Sequence, residues 1–390
     1  MSGNSTQDAN ANSSGSEFKT VALVLQGGGA LGSYQAGVYQ GLAEANIHPD
    51  WVAGISIGAI NSALIAGNPP EKRVERLRAF WETVSEPPLG PFGTPYNPNV
   101  KHINETVHRA LNQFRAFGVA ALGAPGFFRP RAPSPVIWPT PNPAQLSHYD
   151  VTPLQSTLER LVDFDRINSG EMRLSVGAVN VRTGNFRYFD TAHKDRIDFR
   201  HIMASGSLPP GFPATEIDGE FYWDGGIVSN TPLQWVLDSP PRRDTLAFQV
   251  DLWSATGELP RDLAAIEVRQ KDIQFSSRTR EATRQAMNAQ RLRRIFRQVH
   301  GHLPEEIRAL PEVEFLAREA DESVYNIVHL IYHAQNYEGV AKDYEFSRRT
   351  MEEHWSAGYQ AATKALKHPE VLQRPNNREG FRVFDFSRET

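Results

Sequence analysis

Between Trp51 and Gly67 the chain reads WVAGISIGAINSALIAG, and few folds accommodate such a stretch. Trp51-Val52-Ala53 is a short apolar run fit for a buried strand. Gly54-Ile55-Ser56-Ile57-Gly58 is a sharp turn, and Ala59–Ala66 is helix-forming. A strand that turns directly into a helix belongs to α/β order. Both glycines have a physical reason: the serine on such a turn is strained, and side chains at Gly54 and Gly58 collide with neighbouring backbone. The turn thrusts the Ser56 hydroxyl out at the sheet edge. The next helix aims its N-terminal N–H groups and positive dipole end at the same spot. A hydroxyl there can attack an acyl carbon, with donors at hand for the developing oxyanion. Taken alone, the pentapeptide reads equally well as a glycine-rich turn with a serine N-cap.

The preceding segment narrows the choice. Lys19–Leu25, KTVALVL, reads as a buried, central, parallel strand. Gln26 and a glycine loop, Gly27 to Gly32, follow it, and Ser33–Ala45 has helical spacing of Tyr34, Val38 and Leu42. Gly27, Gly29 and Gly32 also satisfy the dinucleotide pattern G-x-G-x-x-G. That reading needs a second strand ending in an acid that holds a ribose. Here the second strand runs into Gly54 and the serine turn, and Asp50 stands at its wrong end. A glycine loop beside a serine turn is better explained as a bank of backbone N–H groups forming an oxyanion hole.

Composition bounds what remains. At 390 residues and 40 % hydrophobic, the chain can bury one large core with an appendage or two modest domains. A net charge of -4 argues against a polyanion binder, so no nucleic-acid partner is expected. The absence of cysteine excludes disulfides, cysteine-ligated zinc and thiol catalysis, and suits a reducing cytoplasm. Residues 1–17 are rich in Ser, Asn and Gly, with neither a basic nor an apolar region, and read as a disordered tail. No apolar run approaches the ~18 residues of a membrane span. The expected location is cytoplasmic, at most peripheral to a membrane or lipid body.

Further along, Glu71–Val84 and Val100–Leu122 have helical periodicity, with a Pro- and Gly-rich loop, Pro87–Pro98, between them. Ala124–Gln145 carries seven prolines together with Phe127, Phe128, Ile137 and Trp138. This insertion, about 87–146, reads either as a strap over the core or as an apolar mouth above a site. Leu154–Leu161 is helical, Met172–Val179 is a strand, and Thr183-Gly184-Asn185 turns it into a hairpin. Thr245–Val250 is a further core strand. Between Arg269 and Arg297 there are nine basic and two acidic residues. That stretch reads as a solvated helical face or as a cationic face for anionic lipid. Val324–Tyr332 is strand-like and Glu345–Leu366 is a long helix. A boundary is expected near 255, separating residues 18–255 from an extension, 256–390, packed on the core.

A serine nucleophile needs a base. None of the twelve histidines lies in a motif that calls for one. His201 reads as structural. His329 and His333 have metal-ligand spacing only on a helix, and His329 lies in a strand-like run. Asp224 is the stronger candidate: it ends an aromatic strand and precedes Gly225 and Gly226, where backbone can approach closely. Neither a metal nor a cofactor is expected.

Gly27-Gly28-Gly29-Ala30-Leu31-Gly32, Gly54-Ile55-Ser56-Ile57-Gly58 and Asp224-Gly225-Gly226, in that order, resemble the patatin-like phospholipase family. The Ala204–Pro213 segment resembles the wall segment that precedes the aspartate there. The likeness spans roughly Lys19–Trp253. It implies a three-layer α/β/α sandwich around a mainly parallel sheet and lipid acyl-ester hydrolysis by a Ser-Asp dyad. Ser56 is then the nucleophile, Asp224 the base, and the Gly27, Gly28 and Gly29 amides the oxyanion hole. Many family members carry Arg or Lys just after the glycine loop. Ser33-Tyr34-Gln35 stand there instead, so a grip on a phosphate head group is not expected at that point. The C-terminal third resembles an uncharacterised, mostly helical extension of some bacterial members. Two alternatives stay open: an esterase for a neutral lipid, thioester or storage polyester, and a catalytically idle lipid-surface scaffold.

Overall fold

Alternating strands and helices organise the chain around one sheet, seen in a computed structural model that describes residues 17–86, 105–133, 137, 140–276, 279–335 and 337–386. The expected tail before Glu17, the Pro87–Pro98 loop and Trp138 lie outside the described residues. The strands are β1 (Thr20–Leu25), β2 (Trp51–Ile55), β3 (Arg173–Asn180), β4 (Phe186–Asp190), β5 (Thr215–Ile217), β6 (Glu220–Asp224), β7 (Thr245–Asp251), β8 (Tyr325–Ile331) and β9 (Phe381–Asp385). Their order in the sheet is β9-β8-β7-β1-β2-β3-β6-β5, with β4 beside β3. From β9 to β3 every neighbouring pair is parallel, while β4, β5 and β6 are antiparallel. The fold is therefore α/β with a mainly parallel central sheet. Strands β1, β2 and β7 are buried at nearly every position, as runs covered on both faces must be.

The helices that bear on the site are α1 (Ser33–Glu44), α2 (Ile57–Ala66), α3 (Pro70–Val84), α4 (Glu105–Leu122), α5 (Phe199–Ser205), α6 (Leu263–Ser276), α7 (Thr279–His300) and α8 (Arg348–Leu366). One sheet face, with Leu23, Leu25, Val52, Phe248 and Val328, packs against α1, α2, α3 and α8. The other, with Ala22, Val24, Ala53, Ala247 and Ile327, packs against Leu233, Val236 and Met287 of α7.

The register brings distant segments together. Ile55 at the end of β2 lies opposite Gly177 of β3, and the next residue of β3, Ala178, lies opposite Asp224. Because β4 occupies the other edge of β3, β2 and β6 must meet end to end along a single edge. The residue after β2 is Ser56, and the last residue of β6 is Asp224.

Residues beyond 255 are helical for the most part, yet they also continue the sheet. β8 pairs with β7 over its whole length, and β9 extends the sheet further. Helix α8 lies against α1 so closely that a Cβ on Gly358 would stand 1.9 Å from the Tyr34 carbonyl oxygen, and one on Gly37 1.9 Å from that of Trp355. The basic stretch is largely engaged within the molecule. Lys271 pairs with Asp343 at 2.9 Å, Arg293 with Asp238 at 3.1 Å, and Arg284 with Glu281 at 2.6 Å. Arg269 and Arg294 donate to backbone carbonyls, whereas Arg291 and Arg297 are exposed. Among the described residues no helix is long and apolar enough to cross a membrane.

Candidate active site

Ser56 ends β2 and caps α2 with backbone angles φ 56° and ψ -124°. A positive φ is rare for a residue with a Cβ and stores strain. The two flanking glycines permit it. A Cβ on Gly54 would lie 2.2 Å from the Gly58 carbonyl oxygen, and one on Gly58 2.3 Å from that of Leu25. Ser205 of α5 then fixes the elbow to β3: its Oγ accepts the Ser56 N–H at 3.0 Å and donates to the Gly177 carbonyl at 2.7 Å.

The Ser56 hydroxyl donates to the Asp224 carboxylate. Asp224 Oδ1 also accepts the Gly226 N–H at 2.7 Å. The carboxylate is only 2 % exposed. Burial pushes its pKa up to about 6, against the downward pull of the Ser56 and Gly226 hydrogen bonds. The acid is thus a far better proton acceptor than a solvated aspartate, while still ionised at neutral pH.

The glycine loop lies against this pair: a Cβ on Gly27 would come 3.1 Å from that of Ser56. Gly27 differs from expectation. Its N–H donates to the Asn230 carbonyl at 3.3 Å, because the chain here is still tied to its neighbour. Its carbonyl accepts Trp253 Nε1 at 2.9 Å and Asn230 Nδ2 at 3.1 Å. The amides of Gly28 and Gly29 have no acceptor among the described residues. Gly29 has φ +55°, and a Cβ on it would stand 2.0 Å from the Asp343 carbonyl oxygen, which accepts the Ala30 N–H at 2.8 Å. Gly32 rests on Ile57, and Gly225 on the Gly177 carbonyl.

Several supports were not anticipated from sequence. Asn230 and Ser205 lie in segments noted only for their small residues. Beneath the loop a buried chain runs from Trp81 to Asn61 to Gln35 to the Gln26 carbonyl, at 3.0, 2.8 and 2.6 Å. Gln26 Oε1 in turn accepts the Leu252 N–H at 2.7 Å. No local pattern marks such residues; their partners are remote in sequence. His201 takes no part. It closes a capping box with Asp198 at the start of α5.

Above Ser56 and Asp224 opens a cavity of about 490 Å³. The insertion supplies Val119, Phe127, Phe128 and Tyr149 to its wall, and the segment after α5 supplies Leu208 and Phe212. Phe127 and Phe128 are buried, their rings 5.4 Å apart and edge to face. The insertion is thus a wall of the cavity as well as a strap. The region beyond 255 contributes Phe275, Asp343, Tyr344 and Phe346. No lysine, arginine or histidine is among the described residues lining it.

With this geometry in view, a family model described as Patatin-like phospholipase matches residues 23–237, more than half of the chain, and the chain belongs to that family. A second model, described as Patatin phospholipase, matches residues 273–378. Among curated proteins the chain is similar to Lysophospholipase nte1 of Aspergillus terreus, 54 % identical over 48 residues, which is 12 % of this chain and 3 % of that protein. It is also similar to Patatin-like phospholipase domain-containing protein 6 of Homo sapiens, 40 % identical over 99 residues, 24 % of this chain and 7 % of that protein. The matched stretches thus span less than a tenth of these relatives' length. Among solved structures, VipD from Legionella pneumophila overlays with a TM-score of 0.41 and 14 % identity, covering 96 % of this chain and 73 % of that one.

Proposed function

We propose that this protein hydrolyses carboxylic ester bonds of lipids, with Ser56 as nucleophile and Asp224 as general base. The observation that carries the reading is the Ser56 hydroxyl donating to a buried carboxylate on the floor of an apolar cavity. Membership of the patatin-like phospholipase family agrees with it.

As the ester binds, Asp224 takes the Oγ proton while Oγ bonds to the carbonyl carbon. The oxyanion accepts from the Gly28 and Gly29 N–H groups and draws on the positive end of α2. Collapse breaks the bond to the alkoxy oxygen, which leaves with the proton from Asp224. Water then attacks the acyl-serine, Asp224 takes its proton, and the acid departs as Ser56 recovers its hydrogen. The apolar walls hold the acyl chain. With no cationic side chain on the described wall, selection rests on that chain rather than on a phosphate. A panel of phospholipid, monoacylglycerol, acyl thioester and hydroxyalkanoate oligomer sorts the alcohol part.

Ser56→Ala is expected to abolish hydrolysis of a short p-nitrophenyl ester and labelling by a fluorophosphonate, with unchanged circular dichroism. Turnover within tenfold of the parent would sink the assignment.

A further inference from the structure

A second cavity, of about 300 Å³, lies at the C-terminal ends of β7, β8 and β9. On the sheet face covered by α7, these strands turn from apolar to polar. Ala247 gives way to Gln249 and Asp251, Ile327 to His329, and Phe381 to Val383 and Asp385. The register aligns them, with His329 opposite both Gln249 and Asp385. Parallel strands covered on both faces are ordinarily apolar throughout, and in open α/β sheets ligands bind beyond the C-terminal strand ends.

The hydrogen-bond inventory says what the cavity lacks. Asp251 is 2 % exposed and accepts Gln249 Nε2 at 3.0 and 2.8 Å. Turned that way, the amide leaves its Oε1 buried and unbonded. His329 is 6 % exposed, and its Nδ1 has no hydrogen-bond partner. The Asp251 Oδ2 stands 3.7 Å away, beyond bonding reach. That places Nδ1 on the Asp251 side of the ring, facing this cavity. The buried Ser276 Oγ on the same wall is also unbonded. Arg284 stands at the rim, held by Glu281. Two carboxylates and several unmade acceptors therefore face a space with one cation, already paired. Buried acceptors left unmade are costly and rare. Among the described residues no acid and histidine cluster is close enough to hold a metal ion.

We propose that this cavity binds a small organic ammonium ion. Its N–H groups donate to Asp251 and Asp385, and its short carbon body lies on Trp253, Met287 and Ile331. The site is distinct from the Ser56 cavity; Trp253, stacked at 5.0 Å on Phe275, stands between the two.

The test titrates n-butylammonium, n-butanol and butyrate into the full chain at constant ionic strength, read by thermal unfolding and calorimetry. Butylammonium is expected to raise Tm saturably by about 3 °C, and the other two to leave it unchanged. Asp385→Asn and Asp251→Asn are each expected to weaken its affinity at least tenfold. If Asp251→Asn does not fold, Asp385→Asn and His329→Gln decide. An equal rise with butanol would reduce the cavity to an apolar crevice, and a rise with butyrate would reverse its charge preference. Either result overturns the proposal, as does butylammonium binding that Asp385→Asn and His329→Gln leave intact.

Discussion

Asp224 carries two consequences at the scale of single residues. Catalysis needs its ionised form, so the rate of ester hydrolysis is expected to rise with pH through about 6 and level off above. A pH profile of kcat/KM flat from pH 4 to 8 would contradict that. The same shift affects stability. The folded state holds the Asp224 proton more tightly than the unfolded chain, so the contribution is present at low pH. It is lost as pH rises from about 4 to about 6. Above that window the buried charge costs up to roughly 3 kcal/mol. Asp224→Asn, which keeps a hydrogen-bonding side chain, is therefore expected to gain stability over the parent at pH 8 but not at pH 3.5. Urea unfolding at the two pH values measures the difference, and an equal difference at both would refute it. Hydrolysis should fall by at least about 10³-fold in the same variant.

Between elements, the decisive contacts are those that only a glycine allows. Gly58→Ala would drive a Cβ into the Leu25 carbonyl at 2.3 Å, so the elbow must open. Activity is expected to vanish with a stability loss of about 1–3 kcal/mol, seen by parallel esterase and Tm measurements. At the α1–α8 contact, Gly358→Ala meets the Tyr34 carbonyl at 1.9 Å, while Gly301 has only one atom near its Cβ position, at 3.9 Å. Gly358→Ala is expected to lower stability by about 2–3 kcal/mol, and Gly301→Ala by much less. Equal effects of the two would show that the helices have room to part.

For the whole molecule, the sheet crosses the boundary expected near 255. Every residue of β7 is buried, and its outer edge is covered by β8. A chain ending at 255 would expose that edge and the α1 surface under α8, a template for aggregation. Such a truncation is expected to be insoluble or molten. A monomeric product with cooperative unfolding would show that residues 18–255 stand alone. The region beyond 255 also reaches the site directly, through Phe275, Tyr344 and the Asp343 carbonyl that holds Ala30.

Local rules determined the parts: apolar runs gave β1, β2 and β7, and the paired glycines around Ser56 marked a strained turn, because strand burial and backbone collision are properties of a few adjacent residues. The sequence also placed a strand over 324–332, where β8 lies, but nothing local announced β9, whose Phe381–Asp385 run is short and carries both an arginine and an aspartate. Which glycine amides remain open, how Asn230 and Ser205 brace the elbow, and how Asp224 reaches Ser56 were settled only in three dimensions. Each depends on strand register between segments far apart in the chain, with β2 and β6 ending against consecutive residues of β3. Register of that kind is fixed by the packing of the entire sheet, so no stretch of sequence carries it alone.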